Sequence, residues 1–477
     1  MIKSVFKYLG IVTYVIAYGL MVANQLHWGH WSSSMLVGLI FLASIILWTN
    51  VSIEWPSLIT LILIGMLPEI GFNKLGEISF GNQTFVFLVF TFAATQVLIQ
   101  TGALGKLTQK MMQLSWIGQS AKHYMLGFLL LTLALACIFS PSVLFMFLFP
   151  MYQSICEQCH LKKGDPIASK YLVAFISTIA IGTAMTPINH IFALTAMSLF
   201  QEATGETITY LTYMTLGVPA GLLTFAIIFV SVSRLVSQVS FDKNAELSTQ
   251  DLIYSSQEKV SLVLYGLMIL LWLLPEFLLF IGLDIKVFLG NGAMVFPPLI
   301  ISTLMLLTRV DGEPIGNISE MFNKGLHWPS LLLLSATLAL GAVMSNPDVG
   351  FIQTIQAFIP ETMTSLPIWM IASIFVVWSG LQTNVSSNLV TVSLVTTFLL
   401  TTMTSLSHSH LQMIAMMIGF MASVAVMTPP AMPYVAIAIG SQWTDSRACI
   451  KFGGLVLICA MISVLVISFI LIQIGTF

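Results

Sequence analysis

The chain is 477 residues long, 57% hydrophobic and only 8% charged, with a mean hydropathy of +0.96, more apolar surface than a water-soluble fold can cover. A formal net charge of -2 and a pI near 6.4, with no stretch of clustered Lys/Arg and interleaved aromatics, exclude nucleic acid as a partner. These quantities predict an all-α polytopic membrane protein whose constant partner is the lipid bilayer.

Lys3 and Lys7 precede an apolar run from about 9 to 24. With no small-x-small cleavage site behind it and more spans directly after, this run reads as a first span rather than a signal peptide. Further apolar segments of spanning length lie near 34–49, 56–70, 84–100, 123–156, 170–200, 210–232, 260–283, 291–308, 328–345, 367–400, 412–440 and 452–474. Between them, ALGKLTQKMMQLSWI (103–117) sets apolar residues at helical spacing opposite lysines, which suits a helix lying in the interface. CEQCH (156–160) matches the c-type haem attachment pattern. Lys162 and Lys163 directly after it point to the cytoplasmic face, where that chemistry does not take place, and Cys137, Cys449 and Cys459 read as small packing residues. No HExxH, GxSxG or P-loop argues for an enzyme.

Segments 123–156 and 367–400 are too long for one crossing, and each carries a polar interruption at mid-depth: Ser140-Pro141-Ser142 in the first, Ser386-Ser387-Asn388 in the second. Lys106, Lys110 and Lys122 precede the first, and Lys162, Lys163 and Lys170 follow it. The positive-inside rule puts both clusters in the cytoplasm, so the segment is a re-entrant hairpin entering from inside. The second has no Lys or Arg on either flank and reads as a hairpin entering from outside. Counting the other segments as crossings gives eleven transmembrane helices in the cell membrane, N-terminus cytoplasmic and C-terminus outside, with about fifteen of the 17 Lys+Arg on the inside.

Each hairpin is followed by a span with a second break. IGTAMTPINHIF contains Thr186, Pro187, Ile188, Asn189 and His190; VAVMTPPAMPY contains Thr428, Pro429, Pro430 and Ala431. Both pairs are offset by about 245 residues, as a duplication requires, and the opposed hairpins make the repeat inverted. The expected organisation is a first repeat over 1–232 with broken helix 170–200, a polar cytoplasmic linker over 233–259, and a second repeat over 260–477 with broken helix 412–440. A helix that stops inside a membrane presents unpaired N–H groups and a positive dipole end to an anion, and an unwound turn offers its carbonyls to a cation. Ser140, Pro141, Ser142, Thr186, Pro187, Ser386, Ser387, Asn388, Thr428 and Pro429 are therefore the candidate solute-binding residues. Ser140 and Ser142 are expected to cap their half-helix as well. His190, beside a broken helix at membrane depth, is a candidate proton carrier or positive charge.

At these residues the sequence resembles the divalent anion:sodium symporter family of di- and tricarboxylate carriers. The resemblance runs in order and spacing along nearly the whole chain. It implies two hairpins with Ser-Asn-Thr tips, Thr-Pro-Pro-Asn-like turns in the broken helices, a homodimer and an elevator mechanism. Ser140 matches the first tip, with Pro141 for the asparagine and Ser142 for the threonine; Ser387 and Asn388 match the second, with Leu389 for its threonine. Thr186, Pro187 and Asn189 match the first turn, with Ile188 for a proline, and Thr428, Pro429 and Pro430 match the second, with Ala431 for its asparagine. Asn384, after Thr383, stands where the pattern has a glutamate. Asn189, His190, Thr383 and Asn384 are thus the candidate cation-binding or charge-compensating positions. The oxygens missing at Pro141, Ala431 and Asn384 weaken a sodium site while leaving the anion site. The expectation is an exchanger of C4 or C5 dicarboxylates that needs no cofactor and no sodium. The alternative is sodium-coupled symport of dicarboxylate, sulfate or tricarboxylate.

Overall fold

The structure is a computed structural model that describes residues 2–112, 120–188, 190–236, 239, 253–280, 295–356, 366–428 and 431–475. Its described secondary structure is helical except for a small hairpin that pairs Arg309–Val310 with Glu313–Pro314. Among the described residues, five helices are long and apolar enough to cross a membrane: Val5–Gln25, Gln83–Gln100, Pro166–Met185, Tyr210–Leu235 and Ser446–Gln473. Ile318–Gly325 and Trp328–Met344 form a further candidate, bent by 73°. Other apolar helices have 10–17 residues, short of the roughly 20 that a crossing needs. Most of the polar linker 233–259 and the end of the segment 103–117 lie outside the described residues; of the latter, Ala103–Met112 is helical.

The short helices occur where the sequence places its interruptions. Ala121–Ala136 and Pro141–Gln158 flank the first tip, and Ile368–Thr383 and Asn388–Thr402 flank the second. Proline starts a helix at little cost at its first position, where its missing N–H would be unpaired anyway; Pro141, Pro166 and Pro433 all stand there. The broken spans are Pro166–Met185 with Ile191–Thr204, and His408–Ser423 with Pro433–Gly440. Each repeat closes on a long helix, Tyr210–Leu235 or Ser446–Gln473.

Duplication appears in the packing as well as in the order. The helix after each break packs on the tip helix of the opposite repeat: Ile191–Thr204 on Asn388–Thr402, and Pro433–Gly440 on Pro141–Gln158. The two closing helices pack on each other. Pro166–Met185, Ile191–Thr204, Asn388–Thr402 and His408–Ser423 are buried nearly all round, as helices at the centre of a membrane protein are. The first and last helices instead expose Val12, Val15, Ile16, Ile458, Ile462 and Phe469, an apolar rim suited to lipid.

Polar ties join loops at either end of the bundle. Asn82 Nδ2 donates to Glu202 Oε1 at 3.0 Å, His408 Nδ1 lies 2.7 Å from Glu206 Oε1, and Ser34 Oγ donates to Thr354 Oγ1 at 2.6 Å. The charge pattern assigns all six residues to the outside. Lys106 Nζ meets Glu258 Oε2 at 2.8 Å, and the Ser169 and Thr444 hydroxyls are 2.8 Å apart; the same pattern assigns these four to the inside.

Candidate substrate-binding site

Each tip is bonded to the break of its own repeat. In the first, Thr186 Oγ1 donates to the Cys137 carbonyl, and His190 Nε2 lies 2.8 Å from the Ala136 carbonyl. A carbonyl only accepts, so Nε2 carries the hydrogen. In the second, Thr428 Oγ1 donates to the Asn384 carbonyl and Thr383 Oγ1 to the Ala422 carbonyl at 2.8 Å. Asn384 spends its whole amide on the backbone: Nδ2 donates to Gly380 O and Val424 O, and Oδ1 accepts from Val426 N and Met427 N, all at 2.9 Å. This network fixes which way the amide points, since only nitrogen can donate to two carbonyls. Asn384, Thr383 and His190 are all buried. Asn189 and Pro429 lie outside the described residues, as does Pro430. Pro187 is buried beside Thr186 in the first break.

Ser140 is the residue at the start of Pro141–Gln158, with φ -54 and ψ 132, but its hydroxyl makes no capping bond. The capping role expected of it is thus not seen; Pro141, in the first helical position, sets the geometry instead. Ser387 likewise begins Asn388–Thr402 with no side-chain cap. Ser140, Ser142 and Ser387 are half-buried, so their hydroxyls stand at the two helix N-termini without serving the helices. Ser386 turns back, donating to Gln382 O at 3.1 Å.

Asn388 differs from every other described candidate. Its side chain is only 3% exposed, and neither Nδ2 nor Oδ1 has a hydrogen-bond partner among the described residues. A buried amide left unpaired costs about 1–3 kcal/mol, so it calls for a ligand that the protein itself does not supply. It sits in the first turn of its helix, where N–H groups and the dipole favour negative charge.

The reciprocal packing of tip helices on post-break helices links each tip helix to the broken span of the other repeat. A cleft of about 380 Å³ lined by Trp378, Leu381, Gln382, Asn384, Val385, Met427 and Thr428 opens beside the second break. Its lining is mostly apolar, Gln382 Oε1 accepts from Trp378 Nε1 at 2.7 Å, and the Thr428 hydroxyl gives its hydrogen to Asn384 O. Sequence reasoning missed two features of the site. Phe139, in the first tip loop, stacks on Tyr265 with centroids 5.5 Å apart. Gly217 and Gly453 approach the two breaks so closely that an added Cβ would stand 2.6 Å from Met185 O and 3.0 Å from Val426 O. Aligning the halves would have signalled the second, because both glycines fall early in or just before corresponding closing helices.

The model of the citrate transporter family matches residues 43–421. The chain belongs to that family, and with it to the divalent anion:sodium symporters. The chain is 26% identical over 373 residues to the sodium-dependent dicarboxylate transporter SdcS of Staphylococcus saprophyticus, covering 74% of this chain and 70% of that protein. Its fold is similar to that of the YdaH transporter of Alcanivorax borkumensis, with a TM-score of 0.55 and 14% identity over 85% of this chain and 88% of that one. The protein is a multi-pass membrane transporter and not an enzyme.

Proposed function

We propose that the protein carries C4 or C5 dicarboxylates such as succinate, malate or 2-oxoglutarate, by exchanging one for another without sodium. The observation that carries this reading is the buried amide of Asn388, without a partner among the described residues, in the first turn of its helix. One substrate carboxylate binds there with the Ser387 hydroxyl and the helix N-terminus. The other binds at Ser140 and Ser142 on the N-terminus of Pro141–Gln158. Thr186 and Thr428 hold the tips in place rather than touching substrate. In this reading the hairpins and broken helices move as a body against the remaining spans of a homodimer, as an elevator, with the N-terminus in the cytoplasm and the C-terminus outside. The segregation of polar ties between the two ends of the bundle supports the sidedness.

A second reading, sodium-coupled symport, is favoured by the name of the staphylococcal relative, a sodium-dependent dicarboxylate transporter. Uptake of labelled succinate into proteoliposomes, preloaded with unlabelled succinate or empty, in sodium or choline buffer, separates the two. Uptake that needs internal substrate and ignores sodium is expected. Sodium-driven uptake into empty vesicles would replace exchange by symport, and no saturable uptake under any condition would remove the dicarboxylate assignment.

A further inference from the structure

The two tips are built alike but do not carry the same chemistry. Pro141 and Asn388 are the first residues of their tip helices, so each stands in the other's place in the repeat. Asn388 brings a buried amide to the second tip. Proline offers neither a side-chain donor nor an N–H, which leaves the first tip with the hydroxyls of Ser140 and Ser142.

The helices packed on the tips differ in the complementary way. Pro433–Gly440 packs on Pro141–Gln158, and Ile191–Thr204 on Asn388–Thr402. Their second residues are Tyr434 and Phe192, spaced along the chain as Thr428 and Thr186 are. The phenyl ring belongs to the helix packed on the tip that has the amide, and the phenol to the helix packed on the tip that lacks it.

Tyr434 is fully buried, and its hydroxyl has no hydrogen-bond partner among the described residues. A buried tyrosine hydroxyl ordinarily has one. The Tyr434 ring lies 6.0 Å from that of Phe145, one helical turn beyond Pro141. Both helices run from their breaks in the chain toward the basic loops that hold Lys162 and Arg447. A helical side chain leans back toward the N-terminus of its own helix, so the phenol extends from the Phe145 contact toward the level of Ser140 and Ser142.

We infer that the Tyr434 hydroxyl is a substrate-binding group, which donates to the carboxylate held by Ser140 and Ser142 and does at the first tip what the Asn388 amide does at the second. The inference rests on the proposed placing of one substrate carboxylate at each tip.

The experiment is titration of the purified full-length protein in detergent with succinate and with citrate, together with thermal unfolding in the absence of both. Tyr434→Phe removes only the oxygen. Without anion it should unfold no lower than the wild type, because no internal bond is lost. Its affinity for succinate should fall roughly 10- to 150-fold, the range for a neutral donor bonded to a carboxylate. In a Ser142→Ala background the loss should shrink, because both groups hold the same carboxylate. In an Asn388→Ala background it should be undiminished.

A phenylalanine variant that unfolds well below the wild type without anion would show that the hydroxyl is bonded inside the protein and would overturn the inference. So would a folded variant of unaltered affinity, or a loss that Asn388→Ala diminishes and Ser142→Ala does not. A wild type that binds citrate but not succinate would sink the C4 or C5 reading alone, and Tyr434→Phe titrated with citrate would still judge the hydroxyl. A wild type that binds neither would sink both.

Discussion

Asn384 ends the helix before the second tip, Asn388 begins the helix after it, and the two have opposite duties. Asn384 is fully bonded to backbone, whereas Asn388 is bonded to nothing described. Asn388→Ala should therefore leave the fold intact, because no internal bond is lost, while substrate loses a hydrogen bond from a neutral donor to a carboxylate. Such bonds contribute about 1.5–3 kcal/mol, so the succinate affinity should fall by roughly 10- to 150-fold at an unchanged melting temperature. Titration of the purified variant with succinate checks this, and an unaltered affinity would remove Asn388 from the site. Thr186→Val should do the reverse, costing about 1 kcal/mol of stability through the orphaned Cys137 carbonyl with a smaller effect on affinity. The sequence named Asn388 as part of a polar interruption in an apolar run, and Asn384 through the family resemblance, as the position where the pattern has a glutamate. It could not say which was ligand and which was clamp, since the partner of the Asn384 amide, Val424 O, is 40 residues away and only the folded break brings it near.

Pairs of helices carry the next level of organisation, and there the duplication was legible because it depends on the spacing of breaks along the chain. The close approaches were not, because a glycine within an apolar helix has no pattern of its own. Gly217 permits Tyr210–Leu235 to lie against the carbonyl of Met185, the last residue before the first break. A methyl group at 2.6 Å from that backbone oxygen must displace one helix. Gly217→Ala should cost about 1–3 kcal/mol as an overpacked contact, and Gly453→Ala, where the distance is 3.0 Å, should cost less; melting temperatures in detergent rank the two. The helix Ala103–Met112 is tied to Ser256–Phe280 by the pair Lys106–Glu258, 2.8 Å apart. Burial pushes the Glu258 carboxyl up, but Lys106 and the Ser255 N–H outweigh it and hold its pKa below the ordinary 4.5. A carboxylate depressed in the folded state stabilises above its unfolded pKa, and the contribution is lost as pH falls through the folded value. Glu258→Gln should therefore melt lower than wild type at pH 7, with the difference shrinking once pH drops below 4.5. A gap that stays constant down to pH 3 would dissociate the tie from the ionised carboxylate.

For the whole molecule the deciding quantity is charge moved per cycle. A dicarboxylate crossing alone carries two negative charges, and each works against about 2.3 kcal/mol per 100 mV of membrane potential. Net inward movement at an inside-negative potential of that size is therefore opposed by about 4.6 kcal/mol, a gradient of roughly 2,000-fold. A symporter removes the cost by loading cations. In the proposed exchange no sodium supplies that compensation, and one-for-one exchange of dianions avoids the cost because no net charge moves. Homoexchange of succinate should then change less than twofold when a potassium gradient and valinomycin set the vesicle interior negative or positive. Uptake into empty vesicles should stay at background at either polarity. An inside-positive potential that drives net uptake into empty vesicles would mean that the unloaded carrier returns by itself, and the protein would be a uniporter whose direction follows the voltage. Uptake that answers only to a sodium gradient would instead mean that sodium supplies the compensating charge, and the protein would be a symporter.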